Sequence, residues 1–343
     1  MHKIITFAIP CYNSAADMDH GITSILEGSD FAEDVEIIIV DDGSQDETPA
    51  KADEWVARYP NIIRAVHQEN GGHGIAVLSG LREATGTYYK VVDSDDWLDA
   101  SALATMLSIL RGFEERGMEI DLFISNYVYE KVHEDKRTTI SYRGALPRKK
   151  VFTWDKIGYF RPDQNLLMHS LTYRTEVVRA ANLPLPAHTF YVDNIYAYVP
   201  LPLCKKMYYA DIDLYRYFIG REGQSVNEAT MVRRLDQQFR ITRIMMNAYH
   251  LYRDVPESRL ASYMMGYFTM MMAVCSVFSK LSDDPEMKQE CKKLWAELKE
   301  YDERMYRHAR CGILGIGTNL PTKAGEKTSV ALYRAASKIF KFN

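Results

Sequence analysis

The sequence predicts an α/β fold in which a mostly parallel sheet is covered by helices on both faces. Short apolar segments alternate with segments of helical periodicity, as in β-α-β units. The apolar segments are almost continuously hydrophobic, which is typical of strands buried on both faces. Each of them ends in polar, turn-forming residues. A chain of 343 residues is long for a single core, so we expect two domains.

The first four strands are predicted at residues 4–9, 35–40, 62–66 and 88–92. Helices are expected between them, at about residues 15–27, 49–59 and 74–84. Thr48 followed by Pro49 is a typical helix start, because threonine caps the end and proline suits the first helical position. Ligands of such sheets bind beyond the carboxyl ends of the strands, so we expect the four loops there to form one site.

Three carboxylates lie within four residues after the fourth strand, at Asp93, Asp95 and Asp96. Like charges this close repel one another, and their burial is costly. A divalent cation with hard oxygen ligands, Mg²⁺ or Mn²⁺, would remove the repulsion and could hold a diphosphate. The alternative is a solvated acidic turn in which one aspartate caps the next helix.

A fifth strand is predicted at residues 121–127, and the alternation of residues 127–143 predicts a half-exposed hairpin. Residues 227–320 are predicted to form a helical domain. Within it, residues 260–279 have no charge and just reach the length of a membrane span. Their richness in methionine and polar residues favours a buried helix or a subunit interface, and with the latter a homo-oligomer.

The tail, residues 321–343, has five cations and one acid, Glu326. The cations are Lys323, Lys327, Arg334, Lys338 and Lys341. The last three share one helical face, and apolar residues occupy much of the remainder. This pattern is typical of a basic amphipathic helix on an anionic membrane. A surface helix docked on its own domain is the alternative.

Composition limits the choice of partner and compartment. The net charge of −4 argues against a broad nucleic-acid surface. Five scattered cysteines without a CxxC pair favour structural thiols in a reducing cytoplasm. No signal peptide is predicted, because the first strand begins directly after residue 3.

Seven short segments stand at or near the predicted loops, at residues 9–13 (IPCYN), 40–48 (VDDGSQDET), 70–72 (NGG), 93–97 (DSDDW), 191–194 (YVDN), 214–217 (LYRY) and 221–225 (REGQS). Together these segments resemble those of the family 2 glycosyltransferases, which have the GT-A fold. The resemblance covers residues 1–226 and implies a GT-A catalytic domain there. It implies inverting transfer of a sugar from a nucleotide sugar, by default a UDP-sugar, to a saccharide or lipid-linked acceptor.

The resemblance also implies roles for individual residues. Asp193 would be the general base, and Asp93 and Asp95 would form the DxD metal motif, with Asp95 the direct ligand. The residues expected to bind the nucleotide sugar are Pro10, Tyr12, Asn13, Asp41, Asp42, Asn70, Gly72, His73, Asp93 and Ser94. Trp97 could stack on an acceptor sugar or simply pack. His169 could ligate the metal, contact the acceptor, or be a buried histidine with a hydrogen-bonded ring.

Two positions depart from the family pattern. Val192 stands where the family often has glutamate, and residues 76–80 lack an arginine that would neutralise the diphosphate. His73, Lys90 or Arg221 could replace that arginine, and the alternative for each is a surface side chain.

The family and the basic tail together predict an enzyme at the cytoplasmic face of a bacterial membrane that makes a cell-surface polysaccharide or glycolipid. A sugar-1-phosphate nucleotidyltransferase is an alternative, but it would need a glycine-rich basic loop, which residues 10–14 do not provide. A dehydrogenase is disfavoured because no GxGxxG follows the first strand. The non-enzymatic alternative is a catalytically impaired glycosyltransferase-like partner subunit.

Overall fold

The computed structural model describes residues 2–131, 136–162, 164–219 and 227–340, with side chains up to residue 335. The chain divides into two compact units. The first comprises Met1–Lys156 and Leu166–Arg221, and the second comprises Ile157–Asn165 and Glu222–Asn343. The short segment Ile157–Asn165 therefore groups with the second unit, whereas the first domain was predicted to span residues 1–226 without interruption.

The first unit is built on a sheet with helices around it. Its strands are β1 (Ile5–Cys11), β2 (Val35–Asp42), β3 (Ile63–Gln68), β4 (Tyr88–Val91), β5 (Trp97–Leu98), β6 (Leu122–Lys131), β7 (Lys136–Ile140), β8 (Val151–Phe152), β9 (Leu171–Arg174) and β10 (Met207–Ile219). Its helices are α1 (Met18–Gly28), α2 (Thr48–Arg58), α3 (His73–Glu83), α4 (Ala100–Glu115), α5 (Thr175–Ala180) and α6 (Asp193–Tyr198).

The strand order is β3-β2-β1-β4-β9-β6-β10-β5, with β7 beside β6 and β8 beside β10. The four predicted strands β1 to β4 are parallel neighbours, and β6 is parallel to β10. Strand β9 runs antiparallel between β4 and β6, so the sheet is mixed. The predicted α/β fold is confirmed, as is the hairpin, which β6 and β7 form.

The register of β1 to β4 explains why the site lies at one edge of this sheet. Cys11 pairs with Asp41, and Asp42 pairs with Gln68, so β1, β2 and β3 end side by side. Strands β1, β2 and β4 are buried along their whole length. The polar residues that follow these strands therefore emerge from the core together, as predicted for a parallel sheet.

The second unit is helical in its described part. Its helices are α7 (Glu228–Arg233), α8 (Leu235–Ala248), α9 (Leu251–Asp254), α10 (Ser258–Leu281), α11 (Pro285–Tyr301), α12 (Glu303–Cys311), α13 (Ile313–Thr318) and α14 (Thr322–Phe340). Among the described residues, only α10 is long and apolar enough to cross a membrane, and 78% of its most apolar stretch is buried inside the protein. It packs against α8 and α11 to α14, as the core helix of this unit. A homo-oligomer through this helix stays a prediction.

The basic tail forms α14, which packs on the rest of the second unit. Ser329 is buried and accepts a hydrogen bond of 3.1 Å from Lys280 Nζ. Glu326 pairs with Lys288 at 3.3 Å, and Arg334 pairs with Glu228 at 2.9 Å. These contacts agree with a docked helix, the alternative to a free tail. The predicted face formed by Lys338 and Lys341 lies outside the described side chains.

Candidate functional site

The loops that follow β1 and β2 at this edge of the sheet are joined by hydrogen bonds around Asn13. This residue has a φ of +50°, a left-handed conformation that asparagine tolerates. Its backbone N–H donates to Ser44 Oγ at 3.0 Å, and its Oδ1 accepts from Gln45 N at 2.8 Å. Beside it, Tyr12 is 52% exposed, while Pro10 is buried at the end of β1. Tyr12 is therefore available to a ligand, and Asn13 holds the loop that presents it.

Asp41 is a buried carboxylate with two fixed partners. Its Oδ1 accepts from Ser44 N at 3.1 Å, and its Oδ2 lies 3.0 Å from His67 Nδ1. The hydrogen bond to Asp41 raises the pKa of His67, against the opposing effect of burial. His67 was not among the residues expected in the site. It lies directly opposite Asp41 in the β2–β3 register, a signal that becomes visible only when the register is known.

Asp42 binds the loop that follows β3. Its carboxylate accepts three hydrogen bonds, from Gln68 Nε2 at 2.7 Å, Gly71 N at 2.9 Å and Gly72 N at 2.7 Å. Its backbone carbonyl accepts a further bond of 2.9 Å from Asn70 Nδ2. The structure therefore directs both Asp42 oxygens toward the Asn70–Gly72 loop, which they hold in place.

That loop needs glycine at position 72. Gly72 has a φ of +85°, and a Cβ atom there would lie 2.8 Å from the backbone nitrogen of His188. The next residue, His73, begins α3 and places its Nε2 2.9 Å from Asp93 Oδ1. The glycine turn thus brings an imidazole against the first aspartate of residues 93–96, which we call the acidic segment.

His73 and Asp93 stabilise each other's charged forms. Burial works against the charge on each, but their hydrogen bond and mutual attraction raise the pKa of His73 and lower the pKa of Asp93. Asp193 and Asp95 also raise the pKa of His73 by their charge. We infer an imidazolium–carboxylate pair at this point of the site.

Asp96 is buried and is held by β10. Its Oδ2 accepts from Tyr215 Oη at 2.7 Å, and its Oδ1 accepts from the backbone of Phe218 at 2.8 Å. Burial, with the charges of Asp95 and Asp93, raises its pKa well above the usual range. Asp95, which lies between Asp93 and Asp96 in the sequence, is half-buried. The acidic segment therefore contains three carboxyl groups in three different environments.

Ser94 and Trp97 anchor the same segment from its sides. The Oγ atoms of Ser94 and Ser14 lie 2.8 Å apart, which joins the acidic segment to the first loop. The ring of Trp97 packs against His20 with centroids 4.6 Å apart. This contact supports packing for Trp97, while its half-buried state leaves part of the ring exposed.

Lys90 is fully buried, so the alternative of a surface side chain is wrong for this residue. Its Nζ donates to the backbone carbonyls of His169 at 2.7 Å and Leu171 at 3.3 Å, and it lies 5.2 Å from the ring centroid of Tyr215. Burial lowers its pKa to about 7. The sequence contained a signal for this, because Lys90 lies inside a strand predicted to be buried on both faces. The third candidate for the missing arginine, Arg221, lies outside the described residues.

His169 is buried among the rings of Tyr127, Tyr215 and Tyr217. Neither ring nitrogen has a hydrogen-bond partner in the described part of the chain, so the expected hydrogen-bonded ring is wrong. Burial lowers the pKa of His169 to about 4, which keeps the imidazole neutral at neutral pH. A neutral, desolvated imidazole is suited to metal ligation.

The donor atoms fit a divalent cation. One potential ligand atom from each of Asp93, Asp96 and His169 lies within 4.8 Å of the others. The unsatisfied nitrogens of His169 would gain a partner from such an ion, and two carboxylates with one imidazole suit Mn²⁺ or Mg²⁺. This group does not include Asp95, which the family resemblance implies as the direct ligand. Asp96 was not expected in it.

Asp193 lies at the first position of α6 and is half-buried. Burial raises its pKa to about 6, with His73 opposing the shift and Asp93 adding to it. These interactions show that Asp193 shares one electrostatic environment with the acidic segment, although it follows that segment by a hundred residues in sequence. A carboxylate with this pKa can accept a proton near neutral pH.

Comparison with known proteins identifies the family. Residues 6–171 match the model of glycosyl transferase family 2. The chain is 30% identical over 206 residues to EpsH of Bacillus subtilis (strain 168), covering 54% of this chain and 53% of EpsH. It is 32% identical over 114 residues to the minor teichoic acid biosynthesis protein GgaB of the same organism, covering 33% of this chain and 12% of GgaB. The chain thus matches about half of EpsH and much less of GgaB.

Among solved structures, residues 1–349 of S. aureus TarS in complex with UDP-GlcNAc have the same fold. The TM-score is 0.63 at 18% identity, with 97% of this chain and 92% of that chain covered. The likeness therefore extends over both units of the protein. The match over residues 6–171 identifies the first unit as a family 2 glycosyltransferase domain, and this unit has the GT-A fold.

Proposed function

We propose that this protein transfers a sugar from a nucleotide sugar, in the first instance a UDP-sugar, to an acceptor hydroxyl with inversion at the anomeric carbon. The observation that supports this most is the position of Asp193. It shares the electrostatic environment of His73 and Asp93, and its pKa is raised to about 6. A base poised near neutral pH beside a candidate metal and diphosphate site is what a single displacement needs.

The first three loops would hold the nucleotide. Tyr12 offers an exposed aromatic face, and Asn13 fixes the loop that presents it. Asp41 offers acceptor atoms to an imide or hydroxyl hydrogen. The complex of the related TarS fold with UDP-GlcNAc supports uridine as the first nucleotide to test.

The acidic segment would hold a divalent cation and the diphosphate of the donor. Asp93 and His169 present ligand atoms, and Asp95 remains the proposed direct ligand of the DxD motif. When bound, the ion would act as a Lewis acid that stabilises the leaving diphosphate. His73 lies at the start of α3, where its charge and the helix N-terminus both favour an anion. We propose that it replaces the arginine that the family often has.

In the transfer step, the Asp193 carboxylate would take the proton of the acceptor hydroxyl. The acceptor oxygen would form its bond to the anomeric carbon as the bond to the diphosphate breaks. One displacement inverts the configuration, so no covalent nucleophile is required. The exposed part of Trp97 is the proposed contact for an acceptor sugar.

The acceptor is proposed to be a saccharide or lipid-linked saccharide of a bacterial cell-surface polymer. The match to the teichoic acid biosynthesis protein GgaB supports this class. The expected location is the cytoplasm, at the inner face of the plasma membrane.

The test is release of nucleoside diphosphate from a panel of UDP- and GDP-sugars, with Mg²⁺ or Mn²⁺ and candidate acceptors. Release that depends on acceptor, and that Asp193→Asn lowers by about 10²–10⁴-fold, would support the proposal. Release of pyrophosphate from a nucleoside triphosphate and a sugar phosphate would instead indicate a nucleotidyltransferase. Absence of turnover with every donor, despite donor binding, would favour a catalytically impaired partner subunit.

A further inference from the structure

Helices α13 and α14 of the second unit present large apolar side chains to solvent. Ile313 is 94% exposed and Ile316 is 53% exposed, and their spacing of three places them on one face of α13. Leu332, on the neighbouring helix α14, is 54% exposed. Single exposed apolar residues are ordinary, but three on two packed helices indicate a surface that contacts a protein or a membrane.

A basic groove of about 940 Å³ runs along α14 in the same unit. Five cations and a single carboxylate, Glu326, line it. The cations are Lys280, Lys288, Lys323, Lys327 and Arg334. Aliphatic residues such as Val330 and Ala331 complete its lining. The groove thus combines apolar lining with an excess of positive charge.

Ion pairs within the protein neutralise only part of this charge. Lys288 pairs with Glu326 and Arg334 pairs with Glu228, but Lys323 and Lys327 are exposed and form no ion pair within the described residues. Lys280 donates to Thr318 O at 2.8 Å, and burial together with nearby cations lowers its pKa despite the attraction of Glu326. Crowded cations of this kind are stabilised by an external anion.

We propose that the exposed face of α13 and α14, with its basic groove, is a docking surface for an anionic membrane. Lys323 and Lys327 would bind lipid phosphates, while Ile313, Ile316 and Leu332 would enter the boundary between headgroups and acyl chains. A soluble polyanion would explain the cations but not the exposed isoleucines and leucine. The surface therefore fits a membrane better than it fits a free polyanion.

The test is co-sedimentation of the full chain with vesicles of phosphatidylglycerol and phosphatidylcholine, and with vesicles of phosphatidylcholine alone. The unmodified protein should bind the anionic vesicles at low salt and be released by high salt, because salt screens the attraction. Each cation near such a surface contributes about fivefold to the partition coefficient, so Lys323→Gln with Lys327→Gln should lower it roughly 30-fold. Ile313→Ser with Ile316→Ser should lower it at least about tenfold.

The matched control is Lys149→Gln with Lys150→Gln, which removes two exposed cations from the first unit. It should bind vesicles like the unmodified protein, and equal losses in the two lysine variants would overturn the proposal. A second part of the test adds inorganic polyphosphate as a soluble polyanion. Binding of polyphosphate that competes with vesicles, together with unchanged vesicle binding by the isoleucine variant, would show a soluble polyanion site and also overturn it.

The docking surface includes no residue of the candidate donor site, so the membrane proposal and the proposed sugar transfer can be refuted independently of each other. All these variants should release nucleoside diphosphate with a soluble acceptor at the unmodified rate. Loss of vesicle binding with normal transfer supports the docking surface. Normal vesicle binding in a protein that transfers no sugar would instead contradict the proposed function alone.

Discussion

Replacement of Asp193 by asparagine tests the proposed base directly. The substitution keeps the size of the side chain but removes its ability to accept a proton. General-base catalysis typically contributes about 10²–10⁴-fold, so turnover should fall by that factor. Binding of the nucleotide sugar should stay near the unmodified level, because Asp193 is proposed to contact the acceptor.

The pH profile gives a second and more specific magnitude. The pKa of Asp193 is raised to about 6, so the reactive carboxylate is about nine-tenths populated at pH 7 and about one-tenth at pH 5. Turnover of the unmodified enzyme should therefore fall about tenfold between these values as pH decreases. In Asp193→Asn, the residual turnover should lose this acid limb.

The assay is steady-state release of nucleoside diphosphate from pH 5 to pH 8, with donor binding measured separately by calorimetry at each pH. Circular dichroism at pH 5 controls for unfolding. An acid limb with a midpoint near pH 4, or one that persists in Asp193→Asn, would refute the assignment. Loss of donor binding as large as the loss of turnover would refute it as well.

Three further substitutions test the structure around this site. Asp95→Asn should abolish turnover and weaken donor binding in the presence of metal, and unchanged activity in this variant or in excess chelator would exclude the metal role. Lys90→Met should lower the free energy of unfolding by about 1–3 kcal/mol in urea titrations, because two buried backbone carbonyls lose their donor; an unchanged midpoint would contradict this. Gly72→Ala should cost about 1–3 kcal/mol, because it combines a φ of +85° with a clash at His188. Gly117→Ala is its control, since Gly117 has a φ of +59° in open space and should show the smaller loss of stability.

The parallel half of the sheet was predictable because its signals are local. Strands β1, β2 and β4 are continuous apolar segments, and each is followed by turn residues, so both the strands and the edge where they end are visible in the sequence. The start of α2 was predictable to within one residue for the same reason, although Thr48 is the first residue of the helix and Glu47, not Thr48, is its cap residue. Strand β9 was not predicted, because four residues placed antiparallel between β4 and β6 give no periodic signal of their own.

The partners within the site depend on contacts between distant segments, which the sequence does not reveal. Asp96 is held by Tyr215, which lies 119 residues away, and Asp41 is held by His67 across the β2–β3 register. The same reason explains the unexpected environment of His169, whose ring is enclosed by tyrosines from β6 and β10. Residue types and motifs can be read locally, whereas their hydrogen bonds and pKa values require the assembled fold.

The acidic segment is stable in the fold because its carboxyl groups are stabilised in different ways. Asp93 is paired with His73, whereas burial and the charges of Asp95 and Asp93 favour a protonated Asp96, against the hydrogen bonds that Tyr215 and Phe218 donate to it. Lys90 adds a buried positive charge that lowers the pKa of Asp93. A dianionic diphosphate arriving with a divalent cation would therefore meet a site whose own negative charge is already largely offset. We therefore propose that His73, at a helix start, and Lys90, within the sheet, supply the positive charge that an arginine within residues 76–80 would otherwise provide.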